Sequence, residues 1–273
     1  MRSSLSARST NVALLLSLII FTLIPFFGIV ATALQPRGKA PSGFSIPLHP
    51  ALGNFAEAWS QASILPLIGS STLIVLGVVP VALLLSALAG FGLAQPGLPG
   101  GSFLGLLFVA GLTIPAEALI SPLYYQVQAM GLLDSRWAII LPLIALYMPF
   151  GVFWMRTHFL SIPEELSEAA RVDGASTFRT FVSIQLPLAR SAISALLILF
   201  FLWTWNQFLL AIVLVNDPLK RTVAGALGAF QGQYGTDIVL LCAGALLIIA
   251  PSLIVFFIFQ RQFVGALLQG SSK

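Results

Sequence analysis

Five long apolar stretches of the chain carry no charged side chain: residues 9–36, 58–116, 137–155, 191–216 and 238–260. A charge at the centre of a bilayer costs roughly 2.5–3.5 kcal/mol, so these stretches are candidate membrane crossings. A crossing helix needs about 20 residues, and the 59 residues of 58–116 are too many for one. The break falls at Gln95-Pro96-Gly97-Leu98-Pro99-Gly100-Gly101, which cannot continue a helix. Six transmembrane helices are predicted, at about 12–34, 66–94, 102–126, 137–157, 190–215 and 238–260. The segments between them are too short to build a core, so the whole chain, 1–273, reads as a single all-α, polytopic membrane domain.

Composition agrees. Only 8% of the side chains are charged and 58% are apolar, against about a quarter charged in soluble domains. This excludes a cytosolic enzyme, a disordered chain and a soluble nucleic-acid binder. Six crossings put both termini on one side, and positive residues choose the side. With cytoplasmic termini, Arg2, Arg8, Arg156, Arg171, Arg179, Arg190, Arg261 and Lys273 lie inside, and Arg37, Lys39, Arg136, Lys220 and Arg221 outside. This bias of eight to five favours termini inside. The first crossing has a second reading as a cleaved signal segment ending in Ala31-Thr32-Ala33, although its apolar run is long for one.

The crossings lack the groups that drive coupled transport. Glu117 is the only acid within them, whereas proton-driven transporters place several ionisable groups at such depth. Glu117 is either a pathway residue or an interfacial acid. The single Gly-Lys pair, Gly38-Lys39, has Ala33 and Ala40 where a phosphate loop needs glycine and a hydroxyl, so any energy must come from a partner. An intramembrane enzyme would need convergent nucleophile, base or metal ligands, and none of the usual sets is present; a passive channel is the remaining alternative from another class. Ala82, Ser86, Gly90 and Ala94, and Gly101 with Gly105, form small-residue stripes suited to close helix packing.

Between the fourth and fifth crossings, residues 161–187 predict a short capped helix-turn-helix on the cytoplasmic face. Ser161 and Glu164 have capping-box spacing, Pro163 falls in the first turn, and Gly174 can take the left-handed position after the helix. Leu166, Ala169, Ala170 and Asp173 share a face. Ser176 can cap a second helix carrying Phe178, Phe181 and Val182 and ending before Pro187. On these grounds alone, a coupling element and a structured connecting loop are equally open.

The spacing Glu168-Ala169-Ala170, three residues, Gly174, nine residues, Ile184, one residue, Leu186-Pro187 resembles the signature of membrane subunits of binding-protein-dependent ABC importers. Trp205-Asn206-Gln207-Phe208, Thr113-Ile114-Pro115, Pro122-Leu123-Tyr124, Leu141-Pro142 and Phe230 to Tyr234 resemble elements of carbohydrate permeases, and from about residue 64 onward the chain is similar to the maltose G-type. The resemblance implies that 161–187 is a coupling segment seated in a cytoplasmic ATPase, with Glu164, Glu165, Leu166, Glu168, Ala169, Ala170, Asp173 and Gly174 at the contact. It implies a second permease subunit, two ATPases that hydrolyse ATP with Mg, an extracytoplasmic solute-binding protein and a sugar substrate, in the inner membrane of a bacterial or archaeal cell. No cofactor and no metal bound by this chain, no catalytic residue and no nucleic acid are expected.

Glu117, Trp203, Trp205, Asn206 and Gln207 are the candidate pathway residues, since aromatic faces and amides suit a neutral polyol; Asn206 and Gln207 could equally bond between helices. In the outer loop, Gln231, Gln233 and Tyr234 are candidates for contact with the binding protein. The same machinery importing a glycerol phosphate-type solute remains the alternative.

Overall fold

A computed structural model describes the backbone of residues 5–38, 44–232 and 235–271, and the side chains of 10–38, 44–230 and 235–260. The chain divides into two compact units, 1–65 with 226–250 and 66–225 with 251–273.

The first unit opens with α1 (Leu5–Ala33), whose side chains from Thr10 on are almost all exposed until Ala31, Thr32 and Ala33. A connecting segment follows, then α2 (Gly53–Gln61), a short amphipathic helix absent from the sequence prediction. Its inward residues are Asn54 and Ala58; the Asn54 amide donates to the carbonyls of Ala33 (2.8 Å) and Gln35 (2.9 Å) and so closes the end of α1. Arg37 donates to Asp237 at 2.9 Å and to Glu57. Glu57 and Asp237 lie far apart in sequence, and this guanidinium ties them together.

The second unit holds α3 (Ile64–Ala94), α4 (Gly101–Gly111), a 3-10 turn (Ala116–Leu119), α5 (Ile120–Ala129) and α6 (Trp137–Leu160). Helix α3 lies on α6 through the small-residue stripe: Ala82 and Ser86 are fully buried. A Cβ on Gly151 of α6 would sit 2.1 Å from Ser86 Oγ, and one on Gly90 would sit 2.7 Å from Met155 Cβ. Such approach is what small residues permit where the surrounding lipid is as apolar as the helices.

The helix directions agree with alternate crossings. Arg136 at the start of α6 bonds Ser70 near the start of α3, and Arg156 near its end bonds the Leu93 carbonyl near the end of α3. These two helices therefore run parallel, as second and fourth crossings must. Helix α4 runs the other way, with Gly105 beside Arg156 and Gly111 against Pro149.

Two predicted crossings are not single helices. The third, 102–126, stops at Gly111 and resumes at Ala116 with a bend of 94°. Pro115 lacks an N–H and disfavours helical geometry at Ile114. The freed carbonyl of Ala110 instead takes the Thr113 backbone N–H (3.0 Å) and hydroxyl (2.7 Å). The fifth, 190–215, is helical only in α10 (Arg190–Trp205) and, after a break, α11 (Leu209–Leu214). Pro218–Lys220 and Ala224–Phe230 form 3-10 turns. Gln231↔Thr236 and Gly232↔Gly235 pair as a two-stranded antiparallel hairpin, and α12 (Ile238–Ser271) continues past the predicted end of the sixth crossing.

Candidate functional site

Helix α7 (Glu164–Val172) begins three residues after the Ser161 proposed as its cap. The capping box is not formed: the Ser161 hydroxyl donates to the His158 carbonyl at 2.6 Å and closes α6 instead. The other end forms as predicted. Gly174 has φ +76°, its N–H bonds the Arg171 carbonyl at 3.0 Å, and the Ala175 N–H bonds the Ala170 carbonyl at 2.9 Å. This is a Schellman termination, in which a left-handed residue without a Cβ satisfies the last carbonyls. Ser176 Oγ accepts from the Arg179 N–H at 3.3 Å and starts the next helix, α8 (Thr177–Thr180).

That helix does not end before Pro187. It passes through a π turn (Phe181–Gln185) into α9 (Leu186–Leu188) and bends by 76° at Ala189 into α10. In the wider turn the Leu186 N–H bonds the Phe181 carbonyl, five residues back, just before Pro187, which has no N–H to give. Phe181 is buried, with its ring 4.8 Å from Phe91, which holds this linker against α3.

Around α7, Glu165, Leu166, Glu168, Ala169, Val172 and Asp173 are exposed, as is the Gly174 turn. Ala170 is buried against its own chain, so of the two alanines only Ala169 is open. Glu164, Ser167 and Arg171 form a separate stripe that lines a cavity toward α3 and α4. Phe178 and Val172 add apolar surface, 70% and 88% exposed, beside the open face.

The second group of residues surrounds the helix breaks. Helix α6 is about 36 Å long at 1.5 Å per residue, and Pro149, which meets Gly111, is close to its middle. The first break therefore lies near mid-depth, and Glu117 is exposed just beyond it. Thr204 donates to the Tyr147 hydroxyl at 3.3 Å, which puts the second break at a comparable depth. There the Asn206 amide donates to the Leu202 carbonyl (2.8 Å) and to Ser252 Oγ of α12 (3.4 Å). Gln207 Oε1 accepts from the Leu210 N–H at 3.3 Å, and the Gln207 carbonyl takes the Thr222 hydroxyl. Side chains thus replace the backbone bonds lost at the break, as an apolar surrounding demands.

Trp203 is 40% exposed, with its ring 5.1 Å from Phe150 and 5.5 Å from Tyr147; Trp205 is buried against Phe201. Tyr147, Phe150 and Phe200 were missed as partners of Trp203 by the sequence reading. The signal was there, because Tyr147 and Phe150 are three apart on one helix and Phe200 and Trp203 three apart on the next.

Gln231 lies in the first strand of the hairpin; Gln233 and Tyr234 fall outside the described residues. Among the loops of the second unit, Asp134 sits in the left-handed region (φ +59°) and accepts the Asp217 N–H at 2.7 Å. That bond, with Lys220 nearby, holds its carboxyl below the usual aspartate range. Among the described residues, no three His, Cys, Asp or Glu side chains come together to hold a metal ion.

The geometry offers a short helix closed by a glycine turn, with an open outer face, and interrupted apolar helices beside an aromatic tier. Residues 82–267 match the family described as binding-protein-dependent transport system inner membrane component. The chain is 33% identical to the diacetylchitobiose uptake system permease NgcG of Streptomyces coelicolor, over 96% of this chain and 87% of that one. It is 32% identical to the arabinooligosaccharides transport permease AraQ of Halalkalibacterium halodurans, over 91% and 90%. Its fold is similar to that of a chain in the crystal structure of a bacterial ABC transporter involved in import of alginate, with TM-score 0.78 and 20% identity over 96% of this chain and 99% of that one. With two thirds of its length matched and relatives aligned almost end to end, the chain belongs to the inner membrane components of binding-protein-dependent transport systems.

Proposed function

We propose that this chain is a permease subunit of an ATP-driven importer for a sugar or oligosaccharide, forming half of the translocation pathway. It pairs with a second permease subunit. Two cytoplasmic ATPases hydrolyse ATP with Mg, and an extracytoplasmic binding protein delivers the substrate. Both termini and residues 161–187 lie on the cytoplasmic side, in keeping with the eight-to-five distribution of basic residues.

The observation that carries this reading is α7, a helix closed at its C-terminal end by the Gly174 turn and with an open face, joined through the π turn and the bend at Ala189 to a crossing interrupted near mid-depth. A rigid, well-terminated helix passes on a displacement that a loop would absorb. Glu165, Leu166, Glu168, Ala169 and Asp173 offer the contact with the ATPase, and Gly174 fixes its end. Movement of α10 shifts Trp203, Asn206 and Gln207, and substrate sites of transporters form at such discontinuous helices near the midplane. The aromatic tier suits the apolar face of a sugar ring, and the relatives named for diacetylchitobiose and arabinooligosaccharides support that class.

The test is uptake by liposomes holding the complete transporter, driven by ATP and loaded binding protein, with sugars and glycerol phosphates in competition. Competition by a glycerol phosphate alone overturns the sugar reading. Labelling of a cysteine placed at Val172 only from the extracytoplasmic side overturns the coupling reading.

A further inference from the structure

Glu164, Ser167 and Arg171 lie on the cavity side of α7, with Glu164 and Arg171 still open to solvent and Ser167 half-buried. They wall a cavity of about 380 Å³ shared with the ends of α3 and α6 and the start of α4. Arg156 enters the same cavity from α6, bonding the Leu93 carbonyl through Nε at 3.2 Å. Arg171 bonds the Ser167 carbonyl through Nε at 3.4 Å. Among the described residues neither guanidinium pairs with a carboxylate, nor does Glu164 with a cation. Two cations and one anion therefore face one space unmatched.

Gln185, in the same wall, is 5% exposed; its Nε2 donates to Ser167 Oγ at 2.9 Å while Oε1 has no partner. Buried amide oxygens are ordinarily bonded, so the wall lacks a donor. The first turn of α4 also opens here at Ser102, with no side chain capping it and only the Gly101 N–H taken, by the Leu98 carbonyl at 3.0 Å, and a helix start of this kind favours an anion.

We propose that this cavity binds the headgroup of an amine-bearing phospholipid from the adjacent leaflet. The phosphodiester lies between Arg156 and Arg171, near Ser102, and the ammonium lies toward Glu164. Two guanidiniums sharing one phosphodiester, with the ammonium on Glu164, match phosphoethanolamine, whereas a simple anion would leave Glu164 unpaired and be repelled by it. A lipid is favoured over a free solute by position. The cavity is at the level where α3, α4 and α6 end their apolar runs, and α4 continues directly from Ser102 into Phe103 and Leu106, 69% and 66% exposed, a surface for acyl chains. Basic pockets between helices at this level hold lipid headgroups in other membrane proteins. The inference does not depend on which solute is carried.

The test uses the full chain, purified in neutral detergent and stripped of lipid, with equal amounts of phosphatidylethanolamine, phosphatidylcholine and phosphatidylglycerol added and retained lipid counted by native mass spectrometry. Wild type retains phosphatidylethanolamine several-fold over the other two. R156Q and R171Q each lower that retention roughly tenfold, the loss of a charge-assisted bond, while R156K, which keeps the charge, retains most of it. E164Q removes the preference for phosphatidylethanolamine over phosphatidylcholine, whose methylated amine cannot donate. Equal retention of all three lipids by wild type overturns the proposal, as does unchanged retention in both arginine variants at wild-type thermal stability. Displacement by free phosphoethanolamine at the lipid's own concentration shows a solute site and overturns the lipid assignment. Unchanged lipid retention with loss of ATPase co-purification in R156Q and R171Q shows a protein contact and overturns it too.

Discussion

Replacing Gly174 isolates the mechanical role assigned to α7. A Cβ at this position meets nothing within 4 Å, so substitution costs no packing. Its cost is conformational, because the residue sits at φ +76°, where an L-residue other than glycine loses about 1–2 kcal/mol. If that cost is met by opening the Schellman turn, the intact population falls about 5–30-fold. Asn, which tolerates the left-handed region, pays less, and a β-branched residue more. The expected order of ATPase stimulation by loaded binding protein is therefore Gly, then Asn, then Ala, then Val, in proteoliposomes with matched amounts of assembled complex. Thermal stability of the membrane bundle stays at the wild-type value throughout, since the turn contributes nothing to its core. Equal stimulation in Gly174→Asn and Gly174→Val would refute the reasoning, because it would mean that the defined end of α7 is immaterial.

Gly151→Ala drives a methyl into Ser86 Oγ and to 2.9 Å from Phe200 Cζ; overpacking of this kind costs about 1–3 kcal/mol, read as a lower unfolding midpoint in detergent, and Ser86→Gly in the same chain recovers only part of it, since the Phe200 contact remains. Trp203→Ala is expected to lower sugar uptake several-fold at unchanged complex assembly, checked by uptake against substrate concentration, whereas Trp205→Ala, at a buried ring, lowers assembly itself. Asp134 binds its proton less readily when folded, so its contribution is complete above the ordinary aspartate pKa of about 3.9 and is lost as pH falls through the lower folded value. Limited proteolysis of 216–223 should accordingly show an acid step that Asp134→Asn abolishes.

What was legible in the sequence follows from which forces act locally. Gly174 and Ser176 mark helix ends by their own chemistry, and both formed as read. Ala82, Ser86 and Gly90 announced close packing by size alone, and α6 fills that groove. The breaks after Gly111 and Trp205 were hidden because hydropathy is blind to backbone geometry: Leu112 and Ile114 are as apolar outside a helix as inside one. Pro115 was a warning, but Pro25, Pro80 and Pro251 lie within continuous helices, so proline alone does not decide. The opposite error occurred at Pro187, where a π turn let the helix continue. Ser161 had the right spacing for a cap, but the end of α6 came first and took its hydroxyl. The mid-depth aromatic tier depended on which helices became neighbours, and that is a tertiary fact.

From Thr10 to Ala33 the first helix has a mean hydropathy of 2.7, and its most apolar window buries none of its residues within this chain. Its length and greasiness answer to the thickness of a bilayer, and among the described residues the order of Leu, Ile, Phe and Val along it is read mainly at one place, where Phe27 stacks on Phe44 with ring centroids 6.4 Å apart. Any meaning held in the order before Ile20 is left to lipid or to a separate polypeptide. Scrambling residues 12–19 at constant composition would thus leave the Phe27–Phe44 contact intact and expose whatever outside listener exists.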